Sequence, residues 1–169
     1  FRETFESRFT YLNGFLRNVS RFGSRPALFD PRSGRRWTYR ELNAEANRLA
    51  HALRASGVGK NDVVMFALLN SPEFVFCYLA AHKIGAIACP VNYRQGAGEI
   101  ALVIDDSLPR AFLYDAEFGG LSCGALKLCS HRPRVMAVVG MEDGFEPPAG
   151  HLACGDYVSG QPGRDPPIG

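Results

Sequence analysis

Residues 67–91, ALLNSPEFVFCYLAAHKIGAIACPV, constrain the fold more than any other stretch, because so apolar a run must either cross a membrane or be buried. A spanning helix needs about 20 consecutive apolar residues. Asn70, Ser71, Pro72 and Glu73 near the start, with His82 and Lys83 in the middle, break that continuity. The interruptions read as punctuation: Ser71 before Pro72 is a helix N-cap with proline at the first helical position, and Gly85 stands where a helix stops. The run therefore predicts a strand, a helix from Pro72 to Ile84, and a strand from Ala86 to about Val91. Buried strands joined by a short helix are the unit of a parallel sheet.

The flanking sequence extends that pattern. Leu12, Phe15, Leu16 and Val19 share one face of an amphipathic helix that ends near Gly23. ALFD and RRWTY flank Asp30-Pro31-Arg32-Ser33-Gly34, which predicts a small β-hairpin. Thr38 and Glu41 form a T-x-x-E capping box with Trp37 and Leu42 as its hydrophobic staple, and Leu42, Ala46, Leu49 and Leu53 continue at helical spacing to Gly57. Asp62 to Leu68 reads as a buried strand, Ile100, Val103 and Ile104 as a further helix face, and Ala111–Tyr114 and Val135–Val139 as short strands. Strands alternating with helices imply right-handed crossovers. The expected class is α/β, a mostly parallel sheet flanked by helices with a small hairpin. Residues 1–139 form the α/β subdomain. Residues 140–169 hold seven Gly and five Pro and read as a loop or linker.

Composition excludes several functions. With 46% hydrophobic residues the chain can bury a core, and 19 basic against 17 acidic residues leave no footprint for nucleic acid. No membrane span is expected, and FRETFESRFT lacks a signal core, so the location expected is cytoplasmic. Five cysteines make an odd set, and Cys123, Cys129, His131, His151 and Cys154 lack the C-x2-C spacing of a zinc knuckle. No metal site is assigned. The P-loop, the G-x-S-x-G elbow and H-E-x-x-H are missing, and the four histidines read as ordinary helix-face or loop residues. Gly96-Ala97-Gly98-Glu99-Ile100-Ala101 fits G-x-G-x-x-A, with Asp115 where a ribose-binding acid belongs, which keeps a Rossmann-type dinucleotide domain as an alternative. Against it, Asn92 to Gln95 separate strand from glycine. Asn92, Tyr93 and Arg94, leaving the carboxyl end of a predicted strand, are the candidate substrate-binding residues. No catalytic residue is assigned.

Taken in order, TYRELNAEANRLAHALRASGVGKNDVV, LLNSPEFVFCYLAAHKIGAIACPVNYR and EIALVIDDSLPRAFLYD resemble the amino-terminal part of the AMP-forming acyl-CoA synthetases, over about residues 10 to 118. Two departures stand out: Gln95-Gly96-Ala97-Gly98-Glu99 where the family has a Ser-Pro-Glu-Glu type helix start, and Asn61 where glycine commonly precedes the aspartate. The resemblance implies a ligase in which a carboxylic acid and ATP give an acyl-adenylate and pyrophosphate, and the thiol of coenzyme A then displaces AMP, with Mg²⁺ balancing phosphate charge. The family's phosphate loop, later nucleotide motifs and carboxy-terminal lysine have no counterpart here. The resemblance thus implies an amino-terminal fragment, inactive alone, with the rest of the synthetase as partner, a possible homodimer, and no ATP, Mg²⁺ or coenzyme A bound to this part. A non-catalytic α/β interface fragment is the remaining alternative.

Overall fold

The computed structural model describes residues 10–140 and 146–166. Helix α1 (Tyr11–Phe22) is capped by Thr10, whose hydroxyl accepts from the Asn13 N–H at 3.2 Å. Strands β1 (Pro26–Phe29) and β2 (Arg36–Thr38) pair antiparallel in the expected hairpin. Helix α2 (Tyr39–Ala55) starts on the capping box: Thr38 Oγ1 accepts from the Glu41 N–H at 3.3 Å, and Glu41 Oε2 accepts from the Thr38 N–H at 2.8 Å. Trp37 and Leu42 lie in one buried cluster with Ala46 and Leu79, as the staple requires.

Then follow β3 (Val63–Ala67), α3 (Pro72–Lys83), β4 (Ile87–Pro90), α4 (Ala97–Ser107), β5 (Ala111–Asp115), a 3₁₀ turn (Ala116–Phe118), α5 (Gly119–Leu128), β6 (Val135–Val139), β7 (Leu152–Ala153) and the short α6 (Cys154–Val158). The sheet order is β4-β3-β5-β6-β7, and each neighbouring pair is parallel. Its faces sort the strand residues by period two. Val64, Phe66, Leu113, Ala137 and Val139 meet α2, α3 and α6, while Met65, Ala67, Phe112, Tyr114 and Val138 meet α4 and α5. Helices on both faces explain why these strands are apolar throughout rather than alternating.

Four local details depart from the sequence reading. Ser71 occupies the N-cap of α3 but makes no cap bond, and its hydroxyl is buried without a partner; Pro72, with φ already fixed, starts the helix regardless. Gly96, standing where the family has a Ser-Pro-Glu-Glu type helix start, still gains half a capping box because Glu99 Oε2 accepts its N–H at 2.7 Å. Helix α5 was not foreseen: three glycines in ten residues argue against a helix, yet a Cβ at Gly124 would come 3.3 Å from the Ala97 Cβ, so its bare backbone lets α4 and α5 close. The Gly/Pro-rich segment after residue 139 is not loop throughout, because Leu152 and Ala153 pair with β6, and α6 packs Cys154, Tyr157 and Val158 on the first core. Asn61 has φ 66°, a left-handed conformation that asparagine tolerates and that accounts for its standing in a glycine position.

Candidate functional site

Because β4 is laid on one side of β3 and β5 on the other, the strand order reverses between β3 and β5. Open parallel sheets leave a crevice outside the carboxyl strand ends at such a point. A cavity of about 900 Å³ lies there, bordered by Leu69 after β3, by Asp115 and Ala116 at the end of β5, by Gly140 after β6, and by Arg35 and Trp37 of the hairpin. Gly140, at φ 71°, takes the chain out of β6 through a conformation that a side chain would strain.

Charge decides what this crevice can hold. Asp30, Glu73, Asp115 and Glu117 face only Arg32 and Arg35. Asp30 is committed to the hairpin turn: its carboxylate accepts from the Ser33 hydroxyl at 2.6 Å and the Arg32 N–H at 3.0 Å, which together hold it below the usual carboxylate range. Asp115 Oδ1 accepts from the Glu117 N–H at 3.0 Å and starts the 3₁₀ turn. Arg35 lies over the Trp37 ring, 4.5 Å from its centroid, and 3.8 Å from Glu45. An acidic excess repels a polyphosphate, so this is not a phosphate cradle. Trp37 Nε1 and Ser71 Oγ, on residues of the lining, are buried polar atoms without partners.

The machinery of a reaction centre is missing among the described residues. No histidine lines the crevice, and no group of three or more His, Cys, Asp and Glu side chains is placed to hold a metal ion. The four histidines have separate structural contacts. His51 Nε2 meets the Arg164 carbonyl at 3.0 Å, His131 Nε2 the Pro109 carbonyl at 2.8 Å, His82 stacks edge-on to Tyr78, and His151 Nδ1 bonds the buried Tyr114 hydroxyl. Burial pushes the Cys154 thiol up to about 12 and raises Cys77 well above its ordinary value, which disfavours the reactive thiolate at both.

Asn92, Tyr93 and Arg94 leave the carboxyl end of β4 but do not border the crevice. Asn92 Oδ1 accepts from the Arg94 N–H at 3.0 Å, which closes a turn. Tyr93 stacks on Phe118 with centroids 4.9 Å apart and planes 9° from parallel. The sequence reading had missed Phe118, Trp37 and Glu73, and had weighed Asp115 only as a ribose ligand. Nothing local announces them, since only the strand order brings the ends of β3, β5 and β6 together. The G-x-G-x-x-A stretch loses its phosphate role, because five residues, 91–95, separate it from β4 and the Glu99 carboxylate already occupies the Gly96 N–H that a pyrophosphate would need.

Comparison with known proteins gives a consistent picture. Residues 15–152 match the family described as AMP-binding enzyme. A 3-hydroxybenzoate–CoA/4-hydroxybenzoate–CoA ligase of Thauera aromatica is 49% identical over 81 residues, 48% of this chain and 16% of that protein. A long-chain-fatty-acid–CoA ligase of Mycobacterium tuberculosis is 39% identical over 90 residues, 53% of this chain and 18% of that protein. The crystal structure of the anthranilate CoA ligase AuaEII in complex with anthranoyl-AMP superposes with a TM-score of 0.78 at 28% identity, over 90% of this chain and 28% of that one. The chain thus spans about a sixth of the length of these curated relatives.

Proposed function

This chain belongs to the AMP-binding enzyme family, and on that premise we propose that it is the amino-terminal part of an AMP-forming acid–CoA ligase. The observation that carries the reading is the pairing of a family match across nearly the whole described sheet with a span of only about a sixth of the curated ligases. The overall reaction is a carboxylic acid with ATP and coenzyme A giving the acyl-CoA, AMP and pyrophosphate by way of an acyl-adenylate. Relatives of similar likeness are named as ligases of an aromatic acid and of long-chain fatty acids, so the substrate we propose is a carboxylic acid of either kind. The interface-fragment alternative has no observation of its own, and no dinucleotide fingerprint survives in the structure.

Among the described residues no group of three or more His, Cys, Asp and Glu side chains is placed to hold Mg²⁺, and the acidic excess of the crevice disfavours a nucleotide polyphosphate. We assign ATP, Mg²⁺ and coenzyme A to the remainder of the ligase. The part described here supplies a rigid wall of the substrate cavity. Asn92, Tyr93 and Arg94, which lie outside the crevice beyond the end of β4 with Tyr93 stacked on Phe118, remain our assignment for contact with substrate. We carry the α/β subdomain past residue 139 through β7 and α6, and place the ligase in the cytoplasm, where both cosubstrates are supplied, with a homodimer as its simplest assembly. Among the described residues no helix is long and apolar enough to cross a membrane.

The test is ATP–pyrophosphate exchange with a panel of aromatic and fatty acids, run on the 169-residue chain and on a chain extended through the full length of the relatives. Transition-state stabilisation in phosphoryl and adenylyl transfer rests on preorganised donors and metal charge, so the short chain is expected to show no exchange and the long one to show it. Exchange by the short chain, or none by the long one with any acid, overturns the reading.

A further inference from the structure

Helix α2 is apolar where it meets the sheet, yet Asn43, Asn47 and His51, spaced four apart on one stripe, interrupt it with polar groups. All three bond the same short segment. Asn47 Nδ2 donates to the Gly163 carbonyl at 2.8 Å, His51 Nε2 to the Arg164 carbonyl at 3.0 Å, and Asn43 Nδ2 to Asp165 Oδ1 at 3.2 Å. From the end of α3, Lys83 Nζ donates to that same Asp165 oxygen at 2.8 Å. Asn47 is fully buried, and the Lys83 side chain is 3% exposed against 58% for Asp165. The fit of the backbone is equally close, since a Cβ on Gly163 would approach the Ala44 Cβ to 3.3 Å and Pro166 is buried.

This arrangement is costly in stability and specific in geometry. A buried ammonium is desolvated, and burial holds Lys83 below its ordinary value even with Asp165 beside it. Burial pushes the Asp165 carboxyl up, and its bond to Lys83 and the Lys83 charge, with help from Asn43 and Asn47, bring it below the usual range. Apolar residues at 43, 47 and 83 would bury the same helix faces without those costs. What they would lose is the ability to recognise two carbonyls and a carboxylate in one register.

We propose that Asn43, Asn47, His51 and Lys83 form a receptor for one occupant, this chain's own Gly163–Pro166, and are positioning residues that fix the direction in which the chain leaves the α2–α3 face. That this direction leads to the catalytic remainder rests on the ligase reading; the receptor itself does not.

The experiment reads backbone ¹⁵N order parameters in the intact 169-residue chain and in Asp165→Ala, Asp165→Glu and Asn47→Ala. Rigid backbone gives values of about 0.85 and flexible backbone gives values below about 0.6. Gly163 and Arg164 are expected in the rigid range in the wild type and in Asp165→Glu, which keeps the charge, and below 0.6 in Asp165→Ala, with β3 and β5 unchanged throughout. Asn47→Ala, if it folds, should release Gly163 most. Asp165 is more than half exposed, so its variants test the receptor even if Asn47→Ala does not fold. Flexibility of Gly163 and Arg164 already in the wild type, retained order in Asp165→Ala, or no rescue by Asp165→Glu overturns the proposal. Because no activity is measured, this outcome is independent of the exchange assay.

Discussion

Residues 37–115 and residues 116–166 share one sheet but are held in it by different physics. In the first region the cores are built largely from big apolar side chains at regular spacing: Phe66 and Leu79 are completely or almost completely buried. The second region has a helix with three glycines, a two-residue strand and a five-residue helix. Strand β6 is buried in the same cores, but beyond it attachment relies also on individual long-range polar bonds: Tyr157 to Ser56 at 3.0 Å, Tyr114 to His151, and the Gly163–Asp165 contacts on α2 and α3. Dispersed apolar burial tolerates the loss of any one polar bond, whereas a segment tied by a few such bonds is sensitive to each. The lesson is that one sheet can be welded at one edge and buttoned at the other.

The strongest way to break the comparison is to trim volume on the welded side. Phe66→Ala removes a fully buried ring that stands edge-on to Phe74 with centroids 5.1 Å apart, and a loss of about 3–5 kcal/mol in denaturant melts is expected. The matching change on the buttoned side, Leu152→Ala, should cost less than 1 kcal/mol because Leu152 is 45% exposed. Equal losses would show that the two regions are held alike.

Acid should discriminate the regions next. Burial holds His151 below its ordinary value of 6.5, so as the pH falls the unfolded chain takes up its proton first. The stabilisation is complete above about 6.5 and is lost as the pH falls through the lower folded-state value. Protonation also removes Nδ1 as an acceptor for the Tyr114 hydroxyl. Urea midpoints should therefore fall between pH 7.5 and pH 5. His82, lowered by burial in the same direction, contributes too, so His151→Gln should reduce the slope without abolishing it. An unchanged slope in that variant would remove His151 from the account.

Smaller effects sharpen the reading of the helix starts. Thr38→Ala removes one arm of the α2 capping box and should cost about 1 kcal/mol. Gly96→Ser adds the missing hydroxyl at the start of α4, where the backbone is extended at φ −74° and ψ 162°, and should raise the melting point by a few tenths of a kcal/mol equivalent. A loss there would mean that the Glu99 bond to the Gly96 N–H cannot coexist with a side chain.

These contrasts explain what was legible in the sequence. Thr38–Glu41, Ser71-Pro72, Gly57 and Gly85 mark element ends through backbone chemistry that acts within four residues, so the elements from α1 to β5 could be read directly. Helix α5 could not, because Gly124 is chosen for its contact with Ala97 on α4 rather than for helix propensity. Strand β7 could not, because two residues are too few for a period. Asn47, Lys83 and Asp165 gave no signal as a group, since their meeting depends on how α2, α3 and the segment at 163–166 are placed in space. The crevice was not legible: Asn92 to Arg94 were chosen as polar residues leaving a strand end and follow the edge strand β4, while Asp115 ends β5 at the reversal point, which only the strand order reveals.

That reversal point also dictates the order in which the molecule is assembled as it is synthesised. Strand β3 meets its first partner, β4, through the pairing of Val63 with Ile87, while its second, through Val64 and Ala111, emerges only after α4 has been made. Until β5 arrives, the β5-side edge of β3 is an open ladder of backbone donors and acceptors, a template on which another nascent chain could dock. The later of the two seams made by β3 is therefore the one along which the crevice opens. Its integrity depends on the speed of a single strand insertion as much as on the contacts that later hold it.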